Sequence, residues 1–469
     1  MYIEDDGMAE TIRRRRVLLI CPDAVGERMA GPGIRYWEFA RLLSNHCDVT
    51  LAVPPYIQME SPPVEPDFPA RLVLCKRAAE LRALAAETDV IVTLGLVPTA
   101  YPFLLSTGKS LVVDLYGPFL LEGLHRYAAL PMPERVRRHE GYHHALVQQI
   151  QVADFMMCAG EKQRDYWLGV LSALGRINPY THDQDQTMYR LIDVVPFGLP
   201  ATPPRHTKQV LKGVYQTIAP DDKVILWGGG IWDWFDAPTL IKAMHLIIQQ
   251  QPNVKLFFMG VKHPNLQASK MKAVDDTIAL SQALGLYDRH VFFNDWVPYN
   301  ERENYLMEAD IGVSLHRNQV ETRFAFRSRF LDYLWAGLPV VATEGDVMSD
   351  QVREWELGRV VAPGDVEGIA ATILNLLDTP RLRESYQLRF ASAAARYRWD
   401  VVTAPLVQFC TNPRSAPDRA YLREIGGIGT GDMRRRSLTA KAWRAVRGQG
   451  VSGLVRQTRE YLRWRFAQR

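Results

Sequence analysis

The sequence predicts an α/β protein of two parallel-sheet halves facing each other across a cleft, followed by a basic helical tail. Three observations carry that expectation. Apolar runs of strand length alternate with amphipathic helical stretches over most of the 469 residues, the pattern of parallel α/β architecture. The alternation starts twice, at residue 17 and again at 223, each time as strand, glycine-containing loop and helix, which is the sequence form of a Rossmann-like unit. Charge is unevenly placed: residues 434–469 hold 11 Lys and Arg against one acid, so a chain of net +4 carries a body of net −6. A mildly acidic body with a basic tail predicts an anionic partner for the tail alone.

In order along the chain, VLLICPD (17–23) reads as the first strand, AVGERMAGPG as its loop and IRYWEFARLLSNH as a helix. DVTLAVP (48–54), ARLVLC (70–75), DVIVTLG (89–95), SLVVDLYGP (110–118) and DFMMCAG (154–160) continue the sheet, with helices such as AAELRALAAET between them. IDVVPFGLP (192–200) closes the first half. After a polar linker, KVILWGGG (223–230) restarts the pattern and APTLIKAMHLIIQQ is its helix. VKLFFMG (254–260), HVFFND (290–295), IGVSL (311–315), LPVVAT (338–343) and GRVV (358–361) follow. The expected organisation is a disordered segment 1–16, an N-terminal domain 17–205, a C-terminal domain 206–390 and a closing helix 391–412. A flexible connector 413–436, rich in Pro, Gly and Ser, and an amphipathic tail 437–469 complete it.

Composition removes several classes. With 47% apolar and 23% charged residues the chain is globular rather than disordered or fibrous. Five widely spaced cysteines without a Cys-x-x-Cys pair argue against a disulfide framework or zinc ribbon and for a reducing compartment. The first 16 residues have no apolar signal-peptide region, and the most apolar stretch, 90–105, is broken by Gly95, Pro98 and Pro102. The expectation is a cytoplasmic protein that does not span a membrane.

The most specific segment is RSRFLDYLWAGLPVVAT (327–343). It resembles the donor-site segment of retaining glycosyltransferases of family four, which have the GT-B fold. The matching residues are Ser328, Arg329, Asp332, Tyr333, Gly337, Pro339, Val340, Val341, Ala342 and Thr343, with Arg for the family's Lys and Asp for its second Glu. GPGIRYWEFARLL (31–43), VVPFGLP (194–200) and VILWGGGIWDWFDAPTLIKA (224–243) stand where that family has its acceptor loop, interdomain link and donor glycine loop. The resemblance implies transfer of a sugar from a nucleotide-sugar with retention, no cofactor and no bound metal. It further implies a donor site at Gly228, Gly229, Gly230, Trp296, Glu321, Arg327 and Asp332, catalytic cations at Arg329 and Lys262, and an acceptor site at Gly31, Gly33 and Asp114.

Residue chemistry points the same way. Glycines at a strand end that open a helix let backbone N–H groups approach a diphosphate. A guanidinium clamps phosphate oxygens bidentately, and a carboxylate one helical turn on can accept from ribose hydroxyls. The competing reading makes Arg329 and Asp332 a surface ion pair. Asp114, at a strand end, is an acceptor-orienting group or else a helix cap or turn residue. Two departures from the family pattern stand out: Phe324 occupies the place of the first acid, leaving Glu321 as a substitute, and the loop IWDWFD lacks the usual Arg and Lys. Positive charge for the diphosphate then comes from Arg329, Arg327, Arg323 or Lys262.

Other patterns were weighed against plainer readings. His139-Glu140-Gly141-Tyr142-His143 fits the zinc-protease spacing but has no third ligand downstream and reads as a solvated helix surface. Asp183-Gln184-Asp185 fits a metal-binding Asp-x-Asp but reads as a hydrated loop. Trp227, Trp232, Trp234 and Phe235 are core or stacking residues. The arginine- and aromatic-rich tail suits an anionic membrane surface, or else the acidic body; nucleic acid is not expected, since the body offers no basic groove. The expected activity is glycosyl transfer to a glycan or glycolipid, in the synthesis of a bacterial polysaccharide or envelope glycan, by a protein peripheral on the inner membrane face. The alternatives are an inactive nucleotide-sugar-binding partner and a GT-B nucleotide-sugar epimerase. A dinucleotide-dependent oxidoreductase is disfavoured because the first loop lacks Gly-x-Gly-x-x-Gly.

Overall fold

A computed structural model describes residues 13–424, apart from 61, 96, 216, 269 and 270. Two sheets form, each wholly parallel. The first runs β1 (Arg16–Ile20), β2 (Asp48–Val53), β3 (Ala70–Leu74), β4 (Val90–Leu94), β5 (Ser110–Asp114), β6 (Phe155–Cys158) and β7 (Ile192–Val194), in spatial order β3-β2-β1-β4-β5-β6-β7. The second runs β8 (Lys223–Trp227), β9 (Val254–Phe258), β10 (Val291–Phe293), β11 (Ile311–Ser314), β12 (Val340–Thr343) and β13 (Gly358–Val361), in order β10-β9-β8-β11-β12-β13. β4 and β9 are buried along their whole length, because helices cover both faces, and their sequences are accordingly almost continuously apolar.

In each sheet the strand order reverses beside its first strand, between β1 and β4 and between β8 and β11. Ligands of such sheets bind outside the carboxyl ends of the strands at that reversal. Here the two reversals face one another. The β1 loop, carrying Asp23 and Met29, and the β8 loop, carrying Gly228, Gly229 and Gly230, line one cleft.

The chain crosses between the domains twice. After the helix Leu382–Arg396 it returns to the first domain, where Trp399 packs edge-on against Phe39 and Phe409 stacks on Phe155 with centroids 5.0 Å apart. The two crossings lie side by side: Leu199 N–H donates to Tyr397 O (2.8 Å) and Trp399 N–H to Leu199 O (3.0 Å). The closing helix expected over 391–412 is in fact three pieces, Leu382–Arg396, Trp399–Val402 and Ala404–Thr411.

The connector expected over 413–436 needs correction where it is described. Asp418 is fully buried and takes a bidentate ion pair from Arg176 (2.8 and 3.1 Å), and Ala416 N–H donates to Asp154 (2.9 Å). Polar composition suggested a loose chain, but these buried partners anchor 413–424 to the first domain. Of the segment expected to be disordered, residues 13–16 are placed, with Arg14 donating to Ser44 O and Cys47 O. Residues 1–12, the remainder of the connector and the tail 437–469 lie outside the described residues. Among the described residues, no helix is long and apolar enough to cross a membrane.

Candidate functional site

The cleft between the domains has a volume of about 540 Å³, within the range of small-molecule sites. Its floor on the C-terminal side is the β8 loop. Gly229 sits at φ +68°, a left-handed conformation that favours glycine. Gly228 N–H donates to the Tyr333 hydroxyl (2.7 Å), which lies 2.8 Å from Val313 O and pins the loop to β11. The glycines do not open a helix directly, as the sequence suggested. The helix Ala237–Gln250 begins seven residues after Gly230 and is capped by Asp236, which accepts from Thr239 N–H.

Arg329 and Asp332, at the start of the helix Arg329–Ala336, both line this cleft. Arg329 is buried. Its Nη2 donates to Gly230 O (2.8 Å), and its guanidinium lies 3.9 Å from the centre of the Phe235 ring and 4.6 Å from that of Trp227. Its Nη1 is buried without a hydrogen-bond partner among the described residues. Burial, with a contribution from neighbouring Arg327, pulls its pKa down to about 10, so it remains a cation at neutral pH. A buried guanidinium with one donor unmet is a site asking for an anion.

The surface ion pair between Arg329 and Asp332 does not form. Asp332 pairs instead with Arg302 (3.2 Å), itself stacked 3.9 Å over Tyr299. Burial raises the Asp332 pKa against the pull of Arg302. Arg327 also lines the cleft and is held from behind: Glu321 accepts from it twice (3.0 and 2.8 Å), and Asp346 lies 3.6 Å from its Nε. Burial pushes Asp346 upward, but His316 at 3.1 Å, Arg327 and the Ser349 N–H outweigh it and hold the carboxyl below its ordinary value.

Several expected site residues fall elsewhere. Glu321 is fully buried with both oxygens on Arg327, so it supports that arginine from behind and does not face a donor sugar. Phe324 packs across the domain boundary on Tyr166, centroids 4.9 Å apart. Lys262 is outside the cleft, half exposed, and reaches Glu60 of the first domain (2.5 Å). The cause is local: Leu266 N–H donates to Gln58 O and Glu60 N–H to Pro264 O, which docks the 262–266 loop flat on the first domain and turns Lys262 toward Glu60. Arg323 is likewise exposed.

Asp114 is not in the lining of the cleft and caps no helix, though it accepts from the Tyr116 backbone N–H as a turn residue does. It is fully buried in a bidentate pair with Arg35 (2.8 and 3.1 Å), whose remaining donors reach Val195 O and Pro196 O. Gly31 lines the cleft, but Gly33 does not: a Cβ there would lie 2.2 Å from Ala24 O, so that glycine lets the β1 loop lie on the helix Gly31–Leu43. Trp296 does line the cleft, and its indole N–H crosses to Met29 O (3.2 Å).

The aromatics divide. Trp227 is core beneath Arg329, whereas Trp232 and Trp234 line the cleft, stacked on each other at 5.4 Å. His139 and His143 lie on the exposed face of the helix Met132–Val152. Asp183 is exposed, and Asp185 accepts from Thr187 and Arg190 in a local turn.

Sequence reasoning missed three cleft residues. Asp23 and His263 meet across the domains (3.7 Å), with burial raising the carboxyl pKa and lowering the imidazole pKa. Glu122, on the helix Phe119–Arg126, faces the cleft from the first domain. Asp23 could have been found as an acid at a strand end; Glu122, inside LLEGLHR, carries no such mark.

Comparisons with known proteins agree with this arrangement. Residues 222–379 match the family model for glycosyl transferases group 1, so the second half carries a domain of that type. A phosphatidyl-myo-inositol mannosyltransferase of Mycobacterium leprae is 37% identical over 174 residues, 37% of this chain and 43% of that protein. Its counterpart from Mycolicibacterium smegmatis is 23% identical over 170 residues, 36% and 40% respectively. The matched region thus spans well under half the length of these curated relatives. Sucrose-phosphate synthase from Thermosynechococcus elongatus superposes with a TM-score of 0.59 at 16% identity, over 84% of this chain and 98% of that one. WaaG, a glycosyltransferase involved in lipopolysaccharide biosynthesis, gives 0.58 at 16% identity over 84% and 100%. Anabaena HepE in complex with UDP-glucose gives 0.55 at 16% identity over 84% and 98%. The fold is GT-B: two parallel-sheet domains about a cleft.

Proposed function

We propose that this protein transfers a sugar from a nucleotide-sugar to a glycan or glycolipid acceptor, with retention of anomeric configuration. One observation carries the reading: Arg329, which lines the cleft, has a buried guanidinium anchored to Gly230 O and stacked on Phe235, with Nη1 lacking a hydrogen-bond partner among the described residues. A departing nucleoside diphosphate gains negative charge as the glycosidic bond breaks. A fixed cation in a dry site stabilises that charge without reorganising. Arg327, braced by Glu321 and Asp346, is the second cation, in the role expected of Lys262. In this reading Asp332, one turn along and lining the same cleft, takes the ribose hydroxyls, and Trp296 with the Trp232 and Trp234 pair offers faces for a base or sugar.

The names of the mannosyltransferase relatives support a lipid-borne acceptor and a role in envelope glycan synthesis. The charge of the tail 437–469 supports attachment to an anionic membrane surface. Liposome flotation of the full chain and of a chain ending at residue 436 tests that attachment.

Thermal-shift measurement against nucleoside diphosphates and nucleotide-sugars tests the central reading. A ligand at 100 times its Kd stabilises the native state by about 2.7 kcal/mol. At least one nucleotide-sugar should raise the melting temperature, and Arg329→Ala should diminish the rise. No response from any member refutes the reading. A second reading, binding without transfer, is favoured by Phe324 in the place of the family's first acid and packed on Tyr166. Stabilisation by a nucleotide-sugar with no consumption of it, acceptor present or not, would establish that one.

A further inference from the structure

The donor-site reading leaves two carboxyls of the cleft without a task, Asp23 and Glu122. Asp23 accepts from Ala24 N–H (2.8 Å) and lies 3.7 Å from His263. Glu122 sits in the first turn of the helix Phe119–Arg126, just past the end of β5. Its Oε1 lies 3.2 Å from where a Cβ would be at Gly117, so it fills the space that this glycine leaves open. No side-chain hydrogen bond to it forms among the described residues, in contrast to Asp332 and Glu321, which are held by arginines. It shares the cleft with Arg327, Arg329 and Gly228, approaching from the opposite domain.

We propose that Glu122 binds a sugar hydroxyl in the cleft as an uncharged acid, donating one hydrogen bond and accepting another. This role rests on the glycosyl-transfer reading above and adds to it a residue of the first domain. The surroundings favour the protonated form. Glu122 is half-buried; desolvation, and then the charge of Glu321, push its pKa to about 8, while Arg327 and Arg126 pull the other way. Arg126 and His125 belong to its own helix, Glu321 and Arg327 come from the segment packed on it, Tyr116 lies at the strand end, and the helix Met132–Val152 brings Tyr142 to the same cleft. A neutral carboxyl satisfies a hydroxyl, which is both donor and acceptor, better than a carboxylate, which only accepts. A charged Glu122 would also draw the arginines that a diphosphate needs.

The test uses the full chain, the nucleotide-sugar that gives the largest thermal shift, and its nucleoside diphosphate. Glu122→Ala should lower turnover at least tenfold while changing the Kd of the nucleoside diphosphate less than twofold. Glu122→Gln, which keeps both a donor and an acceptor, should lower turnover less than fivefold. Wild-type turnover should fall as pH rises through about 8, the pKa given above, and that fall should vanish in Glu122→Gln. Weakened nucleotide-sugar binding in Glu122→Ala assigns the hydroxyl to the donor; intact donor binding and donor hydrolysis with lost transfer assigns it to the acceptor. Equal turnover of Glu122→Ala and wild type, or the same alkaline fall in Glu122→Gln, overturns the proposal. So does an equal loss of nucleoside diphosphate affinity, which would mark Glu122 as a support of the fold. If the wild type binds no nucleotide-sugar, the transferase reading falls first and this role falls with it.

Discussion

Replacing Arg329 by alanine separates catalysis from stability. The fall of its pKa to about 10, well below the ordinary guanidinium value, corresponds to about 3 kcal/mol of unfavourable burial of charge. Two contacts offset it: the charged hydrogen bond to Gly230 O, worth about 1.5–3 kcal/mol, and stacking on Phe235 and Trp227, worth about 0.5–2 kcal/mol. These nearly cancel, so the ligand-free variant should melt within about 3 °C of the wild type. The folded-state pKa is depressed, so the burial penalty is present at every pH below about 10 and relieved above it. Catalysis has no such compensation. Loss of a fixed donor to a developing charge costs about 10²–10³ in kcat, while the Kd for the nucleoside diphosphate should rise only about tenfold, or about 1.4 kcal/mol. Steady-state kinetics with calorimetric titration of both proteins read the two numbers. An unchanged kcat, or a fall in kcat/KM fully accounted for by weaker binding, would remove Arg329 from the chemical step.

Three further outcomes follow from the same geometry. Asp332→Ala should weaken a nucleoside diphosphate about tenfold and leave its 2′,3′-dideoxy counterpart unchanged, as measured by calorimetry, because the carboxyl is assigned to the ribose hydroxyls. Asp114→Asn should strand the fully buried Arg35 and lower stability by about 3–5 kcal/mol in denaturant unfolding; nucleotide affinity of the folded fraction should hold, and a selective loss of acceptor binding would restore the acceptor role. Lys262→Ala should change turnover less than about threefold and stability by less than about 1 kcal/mol, since its contact with Glu60 is an exposed ion pair.

What could be read from the sequence was whatever local chemistry dictates. Central strands such as β4 and β9 announced themselves as continuous apolar runs, because a strand covered on both faces has no polar side to interrupt it; the edge strand β3, without a buried residue, was legible only as a short run of strand length. Arg329 and Asp332 were legible because 327–343 resembles the family's donor-site segment, and helical spacing puts the two on one face. Residues whose partners lie far along the chain were not legible. Asp114 meets Arg35, Asp418 meets Arg176 and Lys262 meets Glu60, and each pairing is decided by tertiary packing. Asp332 shows both sides of this: its position was legible, its partner Arg302 was not. Glu122 was invisible because nothing in LLEGLHR separates a cleft acid from a solvated one.

The paired crossings at Leu199 and Trp399 constrain how the cleft can open. One strand of chain between two bodies lets them twist in any direction. Two adjacent strands, laced together by backbone hydrogen bonds, act like the neighbouring pins of a door and leave swing about a single axis. Cutting either crossing should therefore not free the second domain as a separate body, since the other still holds it. Such a cut should instead release the sideways wobble that the intact pair suppresses.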